Sequence, residues 1–324
     1  MSTPNSNFYK KDIVPVSIFA LIFLTMPLWF SWIGGYGGLD TKIVIWVIFA
    51  VGFDLLLGYM GYLSFGHAAF FGTSAYVTGL MLLHYSDNII PAFFMGVLAA
   101  VIMALIIGQL TLKRSGIYFS ILTLAFGEML HSLVLSTLQD WTGGDNGLTG
   151  LPTPMLFDLK MQGHNVYYLA VFIAIIMYYL ARRIVRSPFG LMLSAIKTNP
   201  TRLEYTGVNV ARYKLAGFVI SAAYAGVAGA LMIIYEPYVA SEFMGWHLSG
   251  QVVIMSVIGG IGTLFGPMIG AAFMLYFENV ASVALGGAWL LVLGLIFMFI
   301  VIFLPGGFVE AGRKVRARFF GGAS

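Results

Sequence analysis

The sequence contains no cysteine. That absence excludes disulfide bonds, thiolate metal sites and a cysteine nucleophile. Charge is nearly as scarce: thirteen acids and seventeen bases make up only 9% of 324 residues. A soluble domain carries about 25% charged residues, because its surface must stay wetted. So few charges cannot cover a water-exposed globule of this size. Aqueous catalytic pockets, nucleic-acid-reading surfaces and disordered tails are excluded on the same ground. No Gly-x4-Gly-Lys-Ser/Thr phosphate loop is present, so the chain has no ATP-hydrolysing loop of that kind. Neither His-Glu-x-x-His nor Gly-x-Ser-x-Gly occurs, and metal ligands do not cluster. Nothing in the sequence argues for an enzyme.

What is present is apolar. Hydrophobic residues make up 60% of the chain, with 39 glycines, and the mean hydropathy is +0.91. The excess apolar surface must face lipid, which predicts an all-α polytopic membrane protein. A spanning helix needs roughly 20 mostly apolar residues. On that basis spans fall near 13–33, 42–60, 62–84, 91–112, 116–138, 166–182, 214–235, 248–261, 264–284 and 288–304. That is ten, or eight to nine with a re-entrant segment, since glycines interrupt the last three. The first run is long for a signal peptide, lacks an Ala-x-Ala cleavage site and ends in Trp29 and Trp32, so it reads as a retained helix.

Loop charges set the direction. With a cytoplasmic amino terminus, ten spans place fifteen of the seventeen bases inside: Lys10, Lys11, Lys113, Arg114, the seven from Arg182 to Lys214, and Arg313, Lys314, Arg316 and Arg318. Lys42 and Lys160 fall outside, together with Asp40, Asp87, Asp140, Asp145, Asp158, Glu236 and Glu242. A wrong span count would mix the signs. The net charge of +4 then reads as sidedness plus a docking surface, with no nucleic acid needed. Residues 139–165 form a turn-rich outer loop, 183–213 the longest cytoplasmic loop, and 305–324 a basic cytoplasmic tail. In the cytoplasmic loop Phe189, Leu191, Met192, Ala195 and Ile196 recur at helical spacing. That predicts an amphipathic helix, resting on lipid headgroups or docking a cytoplasmic partner.

Three acids fall inside the predicted spans: Asp54, Glu128 and Glu278. A charge at mid-bilayer costs about 2.5–3.5 kcal/mol on insertion scales, so each should face protein or water. Glu128 and His131, three residues apart, share a helix face, as a proton relay or a neutral hydrogen-bonded pair. The run from Gly58 to Gly72 carries Gly61, Ser64, Gly66 and His67, which suggests a broken helix or a tight crossing. Irregular backbone at membrane depth is tolerated only where it is buried in protein or lines a cavity. A second cluster holds Gly259, Gly260, Gly262, Gly266 and Gly270. No strand precedes it and its spacing is wrong for a dinucleotide fingerprint, so that reading is rejected.

Together these segments carry a resemblance. Gly61-Tyr-Leu-Ser-Phe-Gly-His67-Ala-Ala-Phe, Thr123-Leu-Ala-Phe-Gly-Glu128 and Thr142-Gly-Gly-Asp-Asn-Gly147-Leu-Thr-Gly-Leu-Pro152 resemble elements of LivM-type permeases of branched-chain amino acid ABC transporters. So do Ser187-Pro-Phe-Gly190, Gly207-Val-Asn-Val with Tyr213-Lys214, and Gly259-Gly-Ile-Gly262-Thr-Leu-Phe-Gly266-Pro267. The matches run in the family's order over roughly residues 40–305.

The resemblance implies an ABC importer permease fold with a cytoplasmic coupling helix, forming half of a translocation path. It implies as partners a LivH-like permease subunit, two ATPase subunits carrying the ATP and Mg, and a periplasmic or lipid-anchored binding protein, all at the bacterial inner membrane. No cofactor is expected on this chain. Phe189, Gly190, Ala195, Ile196, Lys197, Arg202, Glu204 and Gly207 would couple to an ATPase. Gly61, Ser64, Gly66, His67, Glu128, Gly260 and Gly262 would line the path, and Asp145 and Asn146 would meet the binding protein. Branched-chain amino acids, urea, amides and aromatic acids all remain as substrates. The rival is a self-sufficient secondary transporter or channel, with Asp54, Glu128 and His131 as its relay.

Overall fold

Lipid offers no partner to backbone N–H and C=O groups, so apolar runs of spanning length close their hydrogen bonds within helices. The structure, a computed structural model, describes residues 6–304 and 306–320. Residues 1–5, Pro305 and 321–324 lie outside the described residues, as do the side chains of Lys10, Lys11, Arg316 and Arg318. All ten expected apolar segments fall on helices: α1 (Ser6–Trp29), α2 (Leu39–Asp54), α3 (Ala68–His84), α4 (Ile89–Thr111), α5 (Ile117–Leu135), α7 (His164–Arg186), α10 (Val210–Tyr235), α11 (Trp246–Gly259), α12 (Phe265–Leu285) and α13 (Trp289–Phe303). Between them lie the short α6 (Gln139–Thr142), α8 (Pro188–Thr198) and α9 (Pro200–Glu204). Six stretches are long and apolar enough to cross a membrane by length and composition alone; α3 and α11 are shorter. The basic tail, expected as a cytoplasmic extension, forms a helix, α14 (Gly307–Phe320).

At the core is a block built on α10. A methyl group on Gly52 of α2 would lie 2.1 Å from Tyr224 Cβ, and one on Gly229 2.1 Å from the Phe71 carbonyl oxygen of α3. Gly226 meets Ala100 of α4 in the same way, at 2.8 Å. Glycine here brings backbones into direct contact, the packing that lipid-embedded helices favour. Two serines lock the block: Ser74 donates to the Gly226 carbonyl and Ser221 to that of Gly52, both at 2.6 Å. Outside it, α1 lies on α7, where the Tyr167 hydroxyl donates to the Phe23 carbonyl. The outward faces of α4 (Phe94, Leu98, Ile102, Leu105) and α13 (Leu291, Leu295, Phe299, Ile302) are exposed, as lipid contact requires.

The loops gather at two ends. At the acidic end, Leu148 and Val239 exchange backbone bonds of 3.0 and 3.1 Å, beside a two-stranded hairpin, β1 (Met155–Leu156) and β2 (Leu159–Lys160). At the basic end, α8 lies against the turn after α2, and α9 packs on α8 and α10.

Candidate functional site

The first irregular segment follows α2. Its last turn widens to π geometry, Leu55–Met60, and stops at Gly61, whose φ of +79° suits glycine. Residues 61–67 are non-helical until α3 starts at Ala68. Three groups hold this break. The Lys197 ammonium of α8 donates to the Gly58 carbonyl at 2.7 Å. Ser120 of α5 donates to the Leu63 carbonyl at 2.7 Å. Asp54, fully buried, accepts from the Gly262 N–H (2.7 Å) and the Leu264 N–H (3.1 Å). Those two donors stand at the start of α12, where free N–H groups and the helix dipole favour an anion. The buried carboxylate therefore ties the end of α2 to the glycine turn before α12. A methyl group on Gly58 would strike both Asp54 Oδ1 (2.3 Å) and Gly262 N (2.6 Å).

Ser64 and His67 are fully buried. The Ser221 hydroxyl donates to the Gly52 carbonyl, so the contact of 3.1 Å between His67 Nε2 and the Ser221 hydroxyl oxygen assigns the ring proton to Nε2, which donates to that hydroxyl. Nδ1 has no partner among the described residues, and Phe49, Phe53 and Phe70 surround the ring at 5.3–5.9 Å between centroids. The expected tight crossing is present next to it: a methyl on Gly66 would lie 1.9 Å from the Thr123 carbonyl oxygen of α5.

The second irregular segment runs from Glu236 to Gly245, down the side of α3. Val239 packs at Gly79, and Phe243 and Met244 reach Gly72. There α11 begins with Trp246 and His247 exposed, and the Glu128 carboxylate accepts the Trp246 N–H at 3.1 Å. The other Glu128 oxygen lies 3.7 Å from His131 Nδ1. The two breaks meet where the Ala68 N–H, starting α3, donates to Ser249 of α11 at 2.8 Å.

Above this junction a cleft of about 290 Å³ opens at the acidic end. Lys42, Glu236, Glu242 and Glu278 line it with Tyr238, His247 and Gln251, and Trp46, Phe71, Leu248 and Leu275 form its apolar walls. Glu278, one of the three acids expected inside a span and facing protein or water, is thus a cleft residue.

The long basic-end loop forms the expected helix; of its expected apolar positions Ile196 is buried, Phe189, Met192 and Ala195 are half-buried, and Leu191 departs. Gly190, Leu193 and Ile196 are buried, while Leu191 is 69% exposed. The reason is a close approach at Gly190, where a methyl would meet the Val185 carbonyl oxygen at 2.3 Å. Phe189 stacks on Tyr213 at 5.8 Å, and Ala195 is half-buried. Ser187 and Asn199 cap α8 and α9 through the N–H groups of Gly190 and Arg202. Arg202 and Glu204 are exposed on α9, followed by Gly207 at φ +81°.

The candidate residues therefore do not converge on one cavity. Gly61, Gly262 and Lys197 gather at the basic end, while Gly260 packs on the Gly306 carbonyl. Ser64, Gly66 and His67 lie in the packed interior, and Glu128 caps α11. Asp145 and Asn146 stand exposed on a 3-10 turn at the acidic end, with Tyr238 donating to the Asn146 carbonyl. Sequence reasoning missed Trp46, Ser221 and Ser249. Lys42 did carry a signal, as one of two bases among the acids.

An all-α bundle of apolar helices, two of them interrupted inside it, with a helix laid across its basic end, defines a polytopic membrane permease. The family described as branched-chain amino acid transport system / permease component matches residues 37–303, and the chain belongs to that family. It is 25% identical over 313 residues to the high-affinity branched-chain amino acid transport system permease protein LivM of Salmonella typhimurium, covering 86% of this chain and 73% of that one. LivM of Escherichia coli is 26% identical over the same shares. A shorter match, 29% over 118 residues, is to the nucleoside ABC transporter permease protein NupC of Lactococcus lactis, covering 36% of this chain and 35% of that one. No solved structure matches the chain.

Proposed function

We propose that the chain is the LivM-like membrane subunit of a bacterial ATP-driven importer for branched-chain amino acids or a similar small polar solute. It pairs with a LivH-like permease to form the translocation path, docks one of two ATPase subunits, and receives solute from a binding protein. It sits in the cytoplasmic membrane with the basic end and both termini inside. ATP binding and hydrolysis take place on the partners.

The observation that carries this reading is the two-faced geometry of α8 and α9. One face is anchored: Leu193 and Ile196 are buried and Lys197 holds the Gly58 carbonyl. The other presents Leu191, Arg202, Glu204 and Tyr205, the last 86% exposed. A partner that moves this segment pulls on the turn after α2, and through Asp54 on the start of α12. In this reading Glu204 and Gly207 enter the ATPase groove, and Asp145 and Asn146 face the binding protein.

The rival relay has its best support in the 3.7 Å approach of His131 to Glu128. Against it, Asp54 is bonded to Gly262 and Leu264, and Glu128 to Trp246, so both acids hold backbone. Reconstitution decides. The proposal expects the chain in liposomes to be silent under an ion gradient, and uptake to need the partner permease, the ATPases and ATP. Gradient-driven uptake by the chain alone would refute it.

A further inference from the structure

We infer that the cavity between α4 and α10 at the basic end is a binding site for an anionic phospholipid. Its phosphate is held by Lys113 and Arg212, and its acyl chains lie along α4. Three observations carry this. The first is charge: Lys113 and Arg212 line one cavity of about 500 Å³, and no acid lines it. Both side chains are exposed, and among the described residues neither forms an ion pair. The cavity therefore holds two uncompensated positive charges. Gln109 and Asn209 line it too; the Asn209 oxygen is taken up by the Arg212 N–H at 3.2 Å, which leaves its amide group to donate.

The second observation is the wall. The two helices touch at Gly108, where a methyl group would lie 2.8 Å from Leu215 and 2.9 Å from Phe218. Beside that contact the cavity opens, lined by Leu110, Leu112 and Leu215. Leu110 is 50% exposed and continues the bare outward face of α4 through Ile102, Leu105 and Ile106. One ligand thus meets positive charge at the helix end and apolar surface along the helix. A charged amphiphile uses both; a free anion or an acidic protein surface uses only the charge.

The third observation is position. Lys113 stands two residues beyond the end of α4 at Thr111, and Arg212 lies in the first turn of α10. Both helices are long and apolar enough to cross a membrane, so both cations sit at the margin of a span, where lipid phosphates lie. Basic pockets between spanning helices at that level suit anionic head groups. The inference goes beyond the proposed function: it needs only that α4 and α10 cross a bilayer, and it holds for any transported solute.

The test uses the full chain in detergent, with lipid binding read by native mass spectrometry. Dioleoylphosphatidylglycerol is compared with dioleoylphosphatidylcholine, which has the same chains and phosphate but carries a balancing cation. Each basic group near an anionic lipid contributes about fivefold, so phosphatidylglycerol should bind about thirtyfold more tightly. Lys113→Gln combined with Arg212→Gln should reduce that preference to about twofold or less. Arg114→Gln combined with Arg313→Gln removes the same charge outside the cavity and should leave the preference in place. Equal binding of the two lipids would overturn the inference. An equal loss in both double variants would also overturn it, because diffuse charge would then suffice. Displacement of phosphatidylglycerol by inorganic phosphate would make a free anion the ligand and refute the lipid. Equal lipid binding, with ATPase co-purification lost in the Lys113 and Arg212 double variant, would make the cavity a protein contact instead. The lipid comparison needs no variant, so it decides even if a variant fails to insert.

Discussion

Removing the Asp54 carboxylate tests whether one buried acid holds two transmembrane breaks together. Asp54→Ala deletes the acceptor of the Gly262 and Leu264 N–H groups, bonded at 2.7 and 3.1 Å. Each orphaned donor costs about 1–3 kcal/mol, and relief of carboxylate desolvation offsets part of that. Leu264 adds to the loss: its φ of +56° is a left-handed conformation, which a non-glycine residue holds at a cost of about 1–3 kcal/mol. A local destabilisation of about 3 kcal/mol follows, or roughly a hundredfold in an opening equilibrium. Hydrogen–deuterium exchange of the detergent-solubilised chain reads it directly. The Gly262 and Leu264 amides should exchange roughly a hundredfold faster, while Ala225 in the α10 block stays protected. Asp54→Asn, which keeps one acceptor, should give about half the effect in free energy. If exchange at 262–264 is unchanged, or rises equally at Ala225, the carboxylate is not the clamp and the coupling argument built on it fails.

Other positions can be tested in the same way. Lys197→Met should leave the chain inserted but lower both ATPase-driven uptake and its dependence on the docking segment; unchanged uptake would detach α8 from the turn after α2. Glu204→Arg should weaken co-purification of the ATPase without altering thermal stability, and intact co-purification would remove the residue from that interface. Gly66→Ala places a methyl 1.9 Å from the Thr123 carbonyl oxygen, so about 1–3 kcal/mol should be lost and the thermal midpoint should fall by several degrees. A neutral result would mean that α5 gives way there. Tyr36, in the connection before α2, has its phenol raised above the ordinary value by burial first, then by Glu278 and Glu236. Ultraviolet titration of the chain against its Tyr36→Phe variant should show that rise, and Glu278→Gln should lower the phenol toward its ordinary value; no change would place Glu278 away from it.

Helix positions were legible because each depends on a local property, some twenty apolar residues with loop charges at the margins. The break after Gly58 and the α8 helix were legible for the same reason: glycine clusters and helical spacing are written in consecutive residues. The role of Asp54 was not, because its partners are backbone N–H groups more than two hundred positions away, which no side-chain pattern announces. On α8 the burial of Ile196 was legible, while the exposure of Leu191 was not, because the close approach on that helix, Gly190 on the Val185 carbonyl, involves no side chain at all. The same holds for the cleft: Lys42, Glu236 and Glu278 come from three separate helices, α2, the carboxyl-terminal cap of α10 and α12, and only packing brings them to one cavity.

The glycine contacts of α10 bear on mechanics. Where Gly52, Gly226 and Gly229 set backbone against side chain and backbone, there are few rotamers to switch and little space to slide into, so α2, α3, α4 and α10 must travel as one piece. Under the proposed coupling, strain applied at Lys197 would pass through this block like force through a stiff lever. The displacement would then emerge where the α-helices are interrupted: residues 61–67, 236–245 and 260–264. A cross-link between two members of the block should cost the transporter little, and one across any of those interruptions should stop it.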